Sequence, residues 1–150
     1  MKKSTLDLRG AIVDKAVALA ERSNWEAVRL FDIAAELDIS LDDIRAFFRE
    51  KEDLVNAWFD RADSHMLQTA ETLEFLSLPP RERLHLLIMA WLDALAEHRH
   101  VTRQMIGAKL EPGHLHIQIP AIMRISRTVQ WIREAAHRDA TFVRRALEET

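Results

Sequence analysis

The chain contains no cysteine and no tyrosine, and its 150 residues include only 3 glycines and 4 prolines. Without cysteine, the protein has neither a disulfide framework nor a thiolate that could bind a metal or act as a nucleophile. So few helix breakers favour long helices over a β-sandwich or β-barrel, and a hydrophobic content of 48% is ample for a core. The sequence therefore predicts an all-α protein.

Long apolar runs and targeting segments are also missing. No apolar stretch approaches the ~20 residues that a membrane-spanning helix needs, and no apolar segment follows the two N-terminal lysines as it would in a signal peptide. We therefore expect a soluble, cytoplasmic protein without a membrane partner. No Ser-His-Asp order, glycine-rich phosphate loop or HExxH motif is present, so we expect neither enzymatic activity nor a cofactor.

The most informative stretch is residues 32–54, DIAAELDISLDDIRAFFREKEDL. Ile33 and Leu37 lie on the apolar stripe of a short first helix. Ser40 and Asp43 have the spacing of a capping box, which predicts the start of a second short helix. Two short helices joined by about four residues form a helix-turn-helix, whose second helix can enter the major groove of DNA.

Hydrophobic periodicity predicts further helices on both sides of this motif. The predicted helices are 8–23, 27–37, 41–47, a long helix from Lys51 that ends before Pro79-Pro80, 81–98, 100–110, one that starts near Pro120 and runs to about 136, and a last one from about Asp139. The chain is thus predicted to form a three-helix head (residues 1–50) and a helical body (residues 51–150). Because the last helix is still amphipathic at Thr150, we expect that the sequence is truncated, with the cut inside this helix or just after it.

Acidic residues are concentrated in the head. Residues 1–53 hold 9 Lys and Arg against 12 Asp and Glu, a balance of −3 that equals the net charge of the whole chain. Binding to phosphates requires a basic surface. A DNA-binding role therefore requires the basic side chains of the head to lie together on the side that faces the groove.

The first 55 or so residues resemble the N-terminal domain of the TetR family of bacterial transcriptional repressors. The most specific part is the spacing from Ile33-Ala34 to Phe48 and then to Lys51-x-x-Leu54. Further matching positions are Ile12, Ala16, Leu19, Asn24-Trp25, Asp32 and Ile39-Ser40. The resemblance covers about a third of the chain. It implies a three-helix helix-turn-helix head for operator DNA, joined by a long helix to a helical ligand-binding and dimerisation body.

The resemblance also implies where DNA contacts lie. The implied DNA-binding residues are Arg29, Ser40, Leu41, Asp42, Asp43, Arg45, Phe47 and Lys51. Arg29, together with Val28, and Lys51 are expected near phosphates. The chain departs from the family pattern at five positions. The family usually has a basic or small residue at 41, Gly at 42, Thr at 43 and Tyr at 45, whereas this chain has Leu41, Asp42, Asp43 and Arg45. It also has Asp38 where Gly is usual.

Two interpretations of the recognition helix stay open. Arg45 can pair with O6 and N7 of guanine, and an Asp can accept a hydrogen bond from N4 of cytosine. The alternative is that Asp42 and Asp43 only cap the helix and contact no base.

Aromatic and methionine side chains of the body are candidates for an apolar ligand pocket, although ordinary core packing explains each of them equally well. These residues are Met89, Trp91, Met105, Met123 and Trp131. In the same body, Arg103, Arg124 and Arg127 can hold an anionic head group. The histidine pairs His98/His100 and His114/His116 suggest a metal site, but surface histidines beside a loop explain them better, so no metal is expected.

Three functional hypotheses follow. The first is a ligand-responsive repressor that binds double-stranded operator DNA as a homodimer and responds to a small hydrophobic effector. The second is a TetR-fold protein without DNA binding that binds a lipid or isoprenoid, and so resembles the lipid-binding ubiquinone-biosynthesis protein of this architecture. The third, ranked last, is a metal-dependent enzyme.

Overall fold

A computed structural model describes residues 5–110 and 115–137, with side chains placed for 8–108 and 124–137. These residues form eight helices and no strand, so the all-α prediction is confirmed. The helices are α1 (Thr5–Arg22), α2 (Leu30–Leu37), α3 (Leu41–Arg45), α4 (Lys51–Thr69), α5 (Leu73–Ser77), α6 (Pro80–Ala96), α7 (Arg99–Leu110) and α8 (Leu115–Ala136). The predicted loop at 111–113 and the predicted helix from Asp139 lie outside the described residues.

The helices belong to two compact units. The first contains α1, α2, α3, the part of α4 that ends at Asp60, and α7. The second contains α4 from Arg61 onward, α5, α6 and α8 from Ile119 onward. The described part of the predicted head, up to residue 50, lies wholly in the first unit. The same unit also contains α7, whereas residues 100–110 were predicted to belong to the body.

The first unit is packed around the apolar faces predicted for the head. Its core receives side chains from all five helices, each no more than 6% exposed: Ile12, Val13, Ala16, Ile33, Ala34, Ile44, Phe48, Leu54, Trp58, Val101 and Met105. Two hydrogen bonds fix α7 in this unit. The backbone N–H of Trp25 donates to Oε1 of Gln104 at 2.7 Å, and Nε1–H of Trp58 donates to Oγ1 of Thr102 at 2.9 Å.

A hydrophobic cluster of the second unit contains Met66, Ala70, Phe75, Leu87 and Ala135, with Trp91 and Ile132 packed against it. The long helix from Lys51 was predicted to continue to about Ser77, but α4 ends at Thr69. The hydroxyl of Thr72 accepts from the backbone N–H of Phe75 at 3.2 Å, and this cap starts the separate helix α5.

The start positions of two other helices also differ from the prediction. α2 begins at Leu30 instead of Ala27, because Oδ1 of Asn24 accepts from the N–H of Ala27 at 2.9 Å and holds that residue in a turn. α8 begins at Leu115, so Pro120 lies in its second turn and not at its start.

A buried polar network crosses the second unit. Asp63 and Arg124 are 7% and 6% exposed, and Nη2 of Arg124 lies 2.9 Å from Oδ2 of Asp63. Oδ1 of Asp63 accepts from Nε1–H of Trp91 and from the hydroxyl of Thr128, each at 2.9 Å. The network therefore joins α4, α6 and α8 through one carboxylate.

The turn between α2 and α3 depends on a left-handed residue. Asp38 has φ 52° and ψ 48°, its N–H donates to the carbonyl of Ala35 at 3.3 Å, and the N–H of Ile39 donates to the carbonyl of Ala34 at 3.0 Å. These two bonds form a Schellman motif, a helix end that usually has glycine at the position of Asp38.

Replacing Asp38 with glycine is expected to raise the free energy of unfolding by about 0.5–1 kcal/mol, since glycine adopts a positive φ without Cβ strain. Urea denaturation measures the effect. The matched variant Asp38→Ala keeps the Cβ, but alanine adopts the left-handed conformation less readily than aspartate does. We therefore expect Asp38→Ala to be less stable than the wild type. Equal stability of the two variants would contradict this account of the turn.

Candidate nucleic-acid interface

The recognition helix α3 has one buried side and one exposed side. Ile44 and Phe48 are each 1% exposed and anchor the helix in the core of the first unit. On the opposite side, the side chains of Asp42 and Arg45 are 77% and 76% exposed, and Leu41 is 51% exposed. The solvent-facing side therefore carries an acid, a base and an apolar side chain.

The capping box predicted at the start of α3 is present. The N–H of Asp43 donates to Oγ of Ser40 at 3.0 Å, and the N–H of Ser40 donates to Oδ2 of Asp43 at 2.9 Å. The bond from the backbone N–H of Ser40 is the largest cause that lowers the pKa of Asp43, and the side-chain hydrogen bond to Ser40 adds to it. Both residues thus have a structural function in fixing the first turn of the helix.

The cap predicts a pH dependence. Because the pKa of Asp43 in the folded chain lies below its ordinary value of 3.8, the carboxylate stabilises the fold fully above that value. This stabilisation is lost as the pH falls through the lowered pKa. We expect the difference in Tm between pH 7 and about pH 3 to be smaller for Asp43→Asn than for the wild type. Equal differences for the two proteins would contradict the capping role.

Arg29 and Arg45, the two arginines predicted to contact DNA, each pair with a neighbouring aspartate. Nε and Nη2 of Arg29 donate to the two carboxylate oxygens of Asp32 at 3.0 and 3.1 Å. Asp32 raises the pKa of Arg29, first through these hydrogen bonds and then through its charge. Nε and Nη2 of Arg45 donate to Oδ1 of Asp42 at 2.9 and 2.7 Å. Both arginines lie at the surface, but each is partly neutralised.

Lys51, which was predicted to lie near a phosphate, contacts two backbone carbonyls of the chain itself. Its Nζ donates to the carbonyls of Trp25 and Glu26 at 2.6 and 3.2 Å, and it lies 4.9 Å from the centre of the Trp25 ring. Burial lowers the pKa of Lys51. The ammonium therefore joins the start of α4 to the loop before α2, and a phosphate contact would have to use its remaining donor.

Val28, also expected near a phosphate, is 4% exposed and belongs to the core.

Sequence reasoning missed Arg49 as a candidate. Its side chain is exposed and lines one shallow surface groove together with Asp42, Arg45 and Ala46. No side chain that the structure describes pairs with its guanidinium. Arg49 lies four positions after Arg45 in the sequence, and this spacing was the signal that could have identified it as a candidate. Phe47, another predicted DNA-binding residue, is half-buried, and its ring centre lies 6.4 Å from that of Phe48.

Four of the five predicted pocket residues have described side chains, and these four are divided between the two units. Met105 is 1% exposed in the core of the first unit, whereas Trp91 belongs to the second unit and donates to Asp63. Met89 and Trp131, also in the second unit, are 39% and 47% exposed. The side chain of Met123 lies outside the described residues.

Two of the histidines that suggested a metal site, His98 and His100, have other contacts, and the side chains of His114 and His116 lie outside the described residues. Nδ1 of His98 lies 3.0 Å from Oε1 of Glu21, and Nε2 of His100 lies 3.1 Å from Nε2 of Gln104. Among the side chains described for residues 8–108 and 124–137, no three His, Asp or Glu residues converge as metal ligands. In the same part of the chain, no helix has the length and apolar character that crossing a bilayer requires.

The described helices define an all-α protein that presents the short helix of a helix-turn-helix at its surface. The chain is similar to the crystal structure of the TetR transcriptional regulator from Nitrosomonas europaea ATCC 19718, with 65% sequence identity and a TM-score of 0.81. The similarity covers 89% of this chain and 75% of that one. No protein-family model matches the sequence, and no curated protein matches it. With this identity and coverage, the chain belongs to the TetR transcriptional regulators.

Proposed function

We propose that this protein is a cytoplasmic, ligand-responsive repressor that binds double-stranded operator DNA as a homodimer and has no enzymatic activity. In this proposal, residues 1–50 bind DNA, and residues 51–150 bind a small hydrophobic effector and form the dimer. Effector binding shifts the population between two states and lowers operator affinity. The similar crystal structure is that of a TetR transcriptional regulator, and its 65% sequence identity with this chain supports the regulatory role.

The observation that carries the proposal is the exposed side of α3. The buried side chains of Ile44 and Phe48 anchor α3 in the core, and the capping box fixes its first turn. The backbone that carries the exposed side chains of α3 is therefore well fixed. Arg45 and Arg49 line the same surface groove. A preorganised short helix that ends in Arg45 and is followed by Arg49 suits the major groove and the flanking phosphates.

The exposed apolar side chains of the second unit support the dimer and effector parts of the proposal. On α8, Ile125 and Val129 are 64% and 48% exposed and lie one turn apart. On α6, Leu84, Ile88 and Leu92 repeat every fourth residue and are 40–47% exposed. Apolar surface of this kind marks sites of association with a protein or an apolar ligand.

Fluorescence anisotropy with the DNA that flanks the protein's own gene tests the proposal. We expect affinity that falls steeply with salt, because phosphate contacts release counterions. Arg45→Ala should weaken binding about tenfold, and Arg49→Ala should weaken it for all sequences and reduce the salt slope by about one. Arg81→Ala, which removes an exposed arginine from α6 in the second unit, is the matched control and should bind as the wild type does.

The pairing of both predicted arginines with aspartates favours the second candidate, a TetR-fold protein that binds a lipid or isoprenoid and no DNA. Asp32 and Asp42 offset the charges that a phosphate would otherwise attract. Absence of DNA binding at low salt, together with a lipid that co-purifies with the protein, would establish this candidate and exclude the repressor.

A further inference from the structure

The Asp42–Arg45 pair differs from the Arg29–Asp32 pair in how the carboxylate is used. In the Arg29–Asp32 pair, each carboxylate oxygen of Asp32 accepts one hydrogen bond. In the Asp42–Arg45 pair, Oδ1 of Asp42 alone accepts both bonds, from Nε at 2.9 Å and from Nη2 at 2.7 Å. Oδ2 of Asp42 has no donor among the residues that the structure describes. One acceptor of this exposed pair is therefore available.

Arg45 likewise keeps one edge of its guanidinium available. A guanidinium offers two parallel N–H donors along the Nε side and two along its far end, which is formed by Nη1 and Nη2. Asp42 occupies the Nε side, so Nη1 and the second hydrogen of Nη2 remain for a bidentate contact. With both side chains more than three-quarters exposed, the pair presents two donors of Arg45 next to one acceptor of Asp42.

This pattern is complementary to one base pair. In the major groove, a G·C pair presents the acceptors N7 and O6 of guanine and then the N4 donor of cytosine. An A·T pair instead presents an acceptor, a donor, an acceptor and a methyl group. The geometry points to Asp42 as a specificity-determining residue that positions Arg45 for guanine and itself accepts from cytosine, so that the two side chains together read a G·C pair. This inference rests on the proposed DNA-binding function.

The opposing interpretation predicts a different result for the same substitution. If Asp42 is only an acid near phosphates, its neutralisation strengthens binding to every DNA sequence and leaves base preference unchanged. If Asp42 reads a base, its neutralisation relaxes one position of the preferred sequence. Asn at this position keeps an oxygen that can accept from Arg45, but its amide N–H groups would meet the amino group of cytosine, donor against donor.

Selection from a randomised duplex library tests the inference with the wild type, Asp42→Asn and Asp32→Asn. Asp32→Asn is the matched control, because it neutralises the aspartate of the other arginine pair. We expect the wild type and Asp32→Asn to enrich the same motif. Asp42→Asn should lose the preference for G·C at one position by about tenfold. Replacing that guanine with 7-deazaguanine, which lacks the N7 acceptor, should weaken wild-type binding about tenfold and leave Arg45→Ala binding unchanged.

The outcomes separate this inference from the proposed function. An enriched motif that Asp42→Asn retains at every position would overturn the reading role of Asp42 and leave the DNA-binding function standing. Failure of the wild type to enrich any sequence would overturn both.

Discussion

Replacing Arg124 with methionine is expected to lower the free energy of unfolding by about 3–5 kcal/mol. The substitution leaves the carboxylate of Asp63, which is 7% exposed, buried without its ionic partner. The Trp91 and Thr128 hydrogen bonds remain, but neutral donors do not compensate a buried charge fully. Urea denaturation followed by far-UV circular dichroism measures the loss.

The double variant Asp63→Leu/Arg124→Met separates the cost of an unpaired charge from the value of the ion pair. It removes both charges and keeps similar side-chain volume, so we expect it to recover most of the stability lost by Arg124→Met. A matched single variant, Arg127→Met, removes an exposed arginine from the same helix and should change stability by less than about 0.5 kcal/mol. A loss below about 1 kcal/mol for Arg124→Met would contradict the account of this network.

Replacing Phe48 with alanine is expected to cost about 3–5 kcal/mol of unfolding free energy, as for other large aromatic side chains removed from a core. Phe48 is 1% exposed, and the guanidinium of Arg9 lies 5.3 Å from its ring centre. The residue follows α3 and holds that helix against the core of the first unit, so the variant should lose DNA binding together with its stability.

The neighbouring Phe47 provides the control for Phe48. It has the same side chain but is only half-buried, so Phe47→Ala should cost clearly less stability than Phe48→Ala. If Phe47 contacts DNA, as the TetR resemblance implies, its variant should weaken DNA binding while the fold stays intact. Equal losses of stability for the two variants would show that α3 is not anchored as described.

Local patterns were sufficient to predict the helix-turn-helix. The apolar spacing of Ile33, Ala34 and Phe48 matched a buried face, and the Ser40–Asp43 spacing matched a capping box that is present. Both features depend on residues a few positions apart, whose relation a helix fixes. This explains why the head was predicted more closely than the body, where α4 ends at Thr69 because Thr72 caps a new helix.

The partners of long charged side chains were not predictable in the same way. Lys51 binds the carbonyls of Trp25 and Glu26, and Arg124 binds Asp63, which is 61 positions away in sequence. Such contacts depend on how helices pack, and a flexible side chain reaches several partners from one backbone position. Met105 is likewise buried in the same unit as the helix-turn-helix. This position depends on how α7 packs, which the hydrophobic periodicity of α7 does not specify.

Hydrogen–deuterium exchange with and without the DNA that flanks the protein's own gene tests the central proposal most directly. If the exposed side of α3 binds DNA, backbone amides in residues 40–49 should gain protection when DNA is added. Residues 80–96 of α6 in the second unit, which are not proposed to contact DNA, provide the internal comparison. DNA binding without added protection in 40–49 would contradict the proposed interface.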